Sequence, residues 1–97
     1  MPRSLISIIA TSDQNVDPGY DIYFTDTSSN TVTLTLPVIT ADGQHFYFRN
    51  INTTGPDDTT INAGGSDTIN EAGSSYVLFT GTFNHFVALG TNWYIIG

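Results

Sequence analysis

A chain of 97 residues with 2 basic and 9 acidic side chains has a net charge of −7 and the length of a single domain or one piece of an assembly. The only basic residues are Arg3 and Arg49, and Lys is absent. Nucleic acid and anionic membrane surfaces both require clustered Lys and Arg, so both are excluded as partners. Cys is absent, which removes disulfides, thiolate nucleophiles and Cys-ligated zinc.

Thr occurs 15 times, Ile 10, Gly 9, Asn 8 and Ser 8, and aromatics make up 12%. β-branched and aromatic residues suit pleated, half-buried strands, and Asn, Asp, Gly and Ser suit the turns between them. The expected fold class is all-β: a small antiparallel sandwich, barrel or β-prism assembling as a trimer. One domain is expected over 1–97, with an N-terminal strand and loop in 1–19. A chain this short buries only about 60–70% of the surface its unfolded form exposes, so an oligomer would help it.

The apolar run at the N-terminus is too short for a signal peptide and reads as a first strand, Leu5–Ala10. Asp13 to Gly19 is a loop closed by Asp17-Pro18-Gly19, and Tyr20–Thr25 is the second strand. In Thr31–Pro37, Val32, Leu34 and Leu36 occupy one face and threonines the other, the period of a strand with one buried face. Gln44 to Arg49 carries Phe46 and Phe48 on one face and His45, Tyr47 and Arg49 on the other. Aromatics on both faces predict burial on both sides. Thr59–Asn62 and Asp67–Asn70 repeat a Thr-Ile-Asn unit around Ala63-Gly64-Gly65-Ser66 and predict two short strands joined by a Gly-rich turn. Strands follow at Ser75–Thr80, Phe83–Leu89 and Trp93–Ile96. These last three hold continuous apolar runs, which places them between two layers or sets one face against another subunit. Val32, Leu34, Leu36, Phe46, Phe48, Val77, Phe79, Val87, Leu89, Trp93 and Ile95 are therefore assigned to core or subunit interface.

Nothing points to catalysis. There is no Gly-x-Ser-x-Gly elbow. His45 and His85 lie forty residues apart, each in an aromatic strand, and read as interior or interface residues bonded to backbone. They lack metal-ligand spacing, and no cofactor is expected. Gly64 to Ile69 loosely resembles one calcium-binding nonapeptide, with Asp57 and Asp58 as further carboxylates, but a single copy reads as a solvated turn. The acidic residues are expected to serve turns. Asn52-Thr53-Thr54 matches a glycosylation acceptor, a pattern common by chance in a Thr-rich chain. Tyr20, Tyr23, Tyr47, Tyr76, Tyr94 and Trp93, if exposed, could stack on sugar rings, although aromatics in small β proteins more often form core.

The order of motifs carries a resemblance. Thr31-Val32-Thr33-Leu34-Thr35-Leu36-Pro37 leads through Thr60-Ile61-Asn62, Gly65-Ser66-Asp67-Thr68-Ile69-Asn70 and Ser75-Tyr76-Val77-Leu78 to Gly90-Thr91-Asn92-Trp93-Tyr94-Ile95-Ile96. This set, from Tyr20 to Ile96, resembles a β-structured surface module of bacteriophage and large-virus structural proteins. The resemblance implies a non-enzymatic virion-surface protein that assembles as a homo-oligomer, commonly a trimer. Fibre proteins of this sort carry the module at the end of a long shaft. A chain beginning at Met1 suits capsid decoration (cement) on a major capsid or other virion protein. If Met1 is not the native start, a receptor-binding fibre tip that recognises a host surface glycan or protein takes its place. A secreted cellular carbohydrate-binding or adhesive module is the third expectation. Three copies would carry three times −7, or −21, keeping free copies soluble and steering them to a basic partner.

Overall fold

The computed structural model describes residues 5–52 and 57–97, and within them the chain passes back and forth between two sheets. β1 (Ser7–Ala10), β3 (Ile22–Thr25) and β5 (His45–Asn50) lie side by side in one sheet; β2 (Gln14–Asn15), β4 (Val32–Thr35) and β6 (Thr59–Asn62) lie side by side in the other. All of these pairings are parallel. Parallel neighbours need a crossover, and here the opposite sheet provides it instead of a helix. The first six strands thus form three turns of a flattened coil.

The coil is then closed by antiparallel strands. β7 (Thr68–Ile69) joins the first sheet, β8 (Ser75–Leu78) pairs antiparallel with β6, and β9 (Phe83–Leu89) pairs antiparallel with β5. β10 (Asn92–Ile95) returns beside β9 and pairs parallel with β7. The result is a six-stranded sheet, β1-β3-β5-β9-β10-β7, and a four-stranded sheet, β2-β4-β6-β8. The fold is all-β, as expected, but the sheets are mixed and not antiparallel. No helix occurs among the described residues.

Alternation decides what is inside. Tyr23, Phe46, Phe48, Phe86, Ala88 and Trp93 point inward from the six-stranded sheet and meet Val32, Leu34, Ile61 and Leu78 from the other, forming one core. Edge-to-face rings reinforce it: Phe48 meets Phe86 at 5.3 Å and 87°, and Tyr76 meets Phe86 at 5.6 Å and 79°. Polar contacts tie the layers as well. Thr25 and Thr59 share a buried hydroxyl–hydroxyl bond of 2.6 Å, and the Tyr76 hydroxyl donates to Asn84 Oδ1 at 2.9 Å. At one corner Thr27 donates to the Asp57 carbonyl at 2.8 Å and accepts from Asn52 Nδ2 at 3.1 Å, so that its buried hydroxyl is satisfied.

The Thr-Ile-Asn echo forms two short strands joined by the Gly-rich turn, as expected, and that turn carries the chain from the four-stranded sheet (β6) to the six-stranded one (β7). The turn packs on backbone: a Cβ at Gly64 would lie 2.5 Å from the Leu36 carbonyl oxygen. One expectation changes: β5 is not buried on both sides. Phe46 and Phe48 are buried, while His45 and Arg49 are exposed.

Most of the acidity has a structural use. The carboxylates of Asp13, Asp17, Asp21, Asp26, Asp42, Asp58 and Asp67 accept backbone N–H groups of Thr33, Gly19, Ile6, Ser28, Gly90, Thr80 and Ile39, at 2.7–3.2 Å. Turns and sheet edges leave N–H groups without ladder partners, and a short carboxylate satisfies them. Asp58 and Asp67, considered above as calcium ligands, are both occupied in this way.

Candidate functional site

The outer face of the six-stranded sheet follows from the same alternation. Register sets Ser7, Ile22, Tyr47 and His85 in one row and Ile9, Phe24, Arg49 and Phe83 in the next. His45, Val87 and Tyr94 make a third. Arg49 is the one permanently charged residue in these rows. The remainder is largely aliphatic or aromatic, and Ile9, Phe83 and Leu89 are 59%, 45% and 57% exposed.

Leu5, Ile22, Phe24, Tyr47, Arg49 and Phe83 line an open groove of about 370 Å³ on this face. Tyr47 forms its centre. Its ring stacks on His85 at 3.9 Å and 12°, and on Phe83 at 5.9 Å and 17°. His45 stands edge-on to both Tyr47 and His85, at 5.8 and 5.1 Å. His45 Nδ1 and His85 Nε2 are 2.9 Å apart. Partial burial, and next the neighbouring His45, hold His85 below the usual histidine pKa.

The outer face of the four-stranded sheet is different. Thr33, Thr35, Thr60, Asn62 and Ser75 occupy it, with Val77 as the apolar exception. Its shallow groove, also about 370 Å³, is lined by Asp13, Gln14, Asn15, Thr33 and Thr35.

No protein-family model matches the chain. No curated protein matches it either. The reading of the site therefore rests on its own geometry.

The residues assigned to core or interface now divide. Val32, Leu34, Leu36, Phe46, Phe48 and Trp93 are core, and Ile95 packs against it. Val87 and Leu89 lie on the outer face of the six-stranded sheet; Val77, 42% exposed, lies on the outer face of the four-stranded sheet, and Phe79, 62% exposed, lies in the link between β8 and β9. The continuous apolar runs are thus not buried between two layers within the chain. Of the aromatics considered for sugar stacking, Tyr23 and Trp93 are buried, with exposures of 1% and 0%, whereas Tyr47 is half-buried on the outer face. The Tyr23 hydroxyl accepts the Asp17 N–H at 2.6 Å, and burial raises its pKa.

The histidine pair was missed in the sequence. Each ring finds the other and not the backbone carbonyls expected. The signal was present as phase: Phe46 and Phe86 face inward, so their neighbours His45 and His85 face outward. Only the β5–β9 register makes them diagonal neighbours, and that register is not readable from residues forty apart. Arg3 and most of the Asn52-Thr53-Thr54 acceptor lie outside the described residues.

Proposed function

We propose that this chain is a non-enzymatic virion structural protein of the capsid-decoration type. It acts by burying the outer face of its six-stranded sheet against copies of itself, as a trimer, and against the major capsid protein. The observation that carries this reading is the apolar face, with Ile9, Phe83 and Leu89 exposed beside the groove around Tyr47. Contiguous exposed apolar surface marks interaction sites, because solvated sheet faces otherwise take polar residues. Covering one such aromatic side chain is worth about 1.5–3 kcal/mol. The face is also low in charge on a chain of net −7, so copies meet there with the least repulsion. The motif order from Tyr20 to Ile96 supports the virion setting.

A receptor-binding fibre tip is the second reading. The stacked Tyr47–Phe83 row beside Arg49 favours it, since flat rings next to a donor suit a host glycan. Mass spectrometry of purified virions from the gene's source separates the two. Decoration predicts the chain in fixed, near-stoichiometric ratio to the major capsid protein. A fibre tip predicts a few copies per virion, fused to a longer polypeptide. Absence from virions contradicts both.

A further inference from the structure

We propose that His45 and His85 form a bidentate binding site for a divalent transition-metal ion that prefers imidazole, such as Cu²⁺, Ni²⁺ or Zn²⁺. The carrying observation is the convergence of His45 Nδ1 and His85 Nε2 at 2.9 Å on the outer face of the six-stranded sheet. Two metal–imidazole bonds of about 2.0–2.1 Å set at a right angle span about 2.9 Å. The gap therefore matches adjacent positions of a square-planar or octahedral ion, the geometry of Cu²⁺ and Ni²⁺. A tetrahedral ion needs a somewhat wider bite, which places Zn²⁺ behind them.

The rings are held before any ion arrives. Adjacent antiparallel strands fix both backbones, Tyr47 stacks flat on His85 at 3.9 Å, and His45 is braced edge-on against Tyr47. Only the neutral imidazole is a ligand, so binding should weaken as pH falls. In the free protein the gap is filled by one shared N–H. Binding requires the donor ring to carry its proton on its other nitrogen, so that both facing nitrogens present lone pairs. The chain's −7 charge attracts cations. Among the described residues, no group of three or more His, Cys, Asp or Glu converges. The other coordination positions belong to water or to a ligand from a docked partner, and exposed His45 leaves them open. Hard cations such as Mg²⁺ and Ca²⁺ prefer oxygen and gain little here.

The test is calorimetric titration of the untagged chain with CuCl₂, NiCl₂, ZnCl₂ and MgCl₂, with imidazole NMR signals followed in the Zn²⁺ arm. The expected result is one ion per chain in the order Cu²⁺, Ni²⁺, Zn²⁺, no Mg²⁺ binding, and shifts confined to His45, His85 and Tyr47. His45→Gln and His85→Gln should each weaken binding about tenfold or more while the amide spectrum stays folded. Absence of binding, or affinity unchanged in both variants, overturns the site. The site shares the face that the decoration reading buries, so Phe83→Asp, expected to be the single-chain form, is titrated alongside: absence of binding in both forms overturns the site whatever the virion content shows.

Discussion

The two sheets share one interior but turn opposite outer faces to their surroundings. On the four-stranded sheet, buried Val32, Leu34 and Ile61 alternate with Thr33, Thr35, Thr60 and Asn62. On the six-stranded sheet, buried Tyr23, Phe46, Phe48 and Phe86 alternate with Phe24, Tyr47, Phe83 and Val87 as well as His45, His85 and Arg49. Folding requires only the inward half of each pattern, and the threonine face demonstrates that a polar outward half is compatible with this fold. The apolar outward half is the feature on which the proposed assembly rests.

Substitutions on the two faces sharpen that contrast. The largest effect belongs to the shared interior: Phe48→Ala should lower stability by about 3–5 kcal/mol, measured by urea unfolding, because neither sheet can cover the cavity. If that loss is small, alternation does not define the core. Next is Phe83→Asp, which places a carboxylate on the apolar face. It should abolish self-association while leaving the circular-dichroism spectrum unchanged, whereas Thr60→Asp on the polar face should leave association intact. Equal behaviour of the two variants would erase the distinction between the faces.

A smaller effect concerns the turns. Hydrogen bonds from the Ser28 hydroxyl and backbone N–H hold half-buried Asp26 below the usual carboxylate pKa. A carboxyl lowered in the folded state contributes stability above its unfolded pKa and loses it as pH falls through the folded value. Asp26→Asn should therefore flatten part of the stability loss below about pH 4, as read from thermal melts against pH. An unchanged profile would remove Asp26 from that account. The smallest effect is expected for Thr33→Val on the polar face, within about 0.5 kcal/mol of wild type.

Local pattern was legible where one strand carries its own signal. Val32–Thr35 announces its buried face, and Phe83–Leu89 matches its predicted bounds. β2 was hidden because Gln14–Asn15 is two polar residues long and is defined only by its pairing with β4. The parallel coil was hidden for a related reason. Short Gly- and Asp-rich links such as Thr11-Ser12-Asp13 look like hairpin turns, yet they are corners between sheets, and Asp13 marks the corner by accepting the Thr33 N–H twenty residues on. The histidine pair and the Tyr47 groove depend on the β3–β5–β9 register, a long-range property. The apolar residues of this face were visible in the sequence, but an outward Phe83 and an inward Phe86 look alike until the strand's phase is fixed by its neighbours.

The central claim is that the outer face of the six-stranded sheet is an assembly surface. Light scattering of the untagged chain across a range of concentrations tests it most directly, with Phe83→Asp and Thr60→Asp alongside. The account predicts three times the 10.5 kDa chain mass for wild type and Thr60→Asp, and the single-chain mass for Phe83→Asp. A wild-type chain that stays at 10.5 kDa at every concentration, or an oligomer that Phe83→Asp leaves intact, would contradict it.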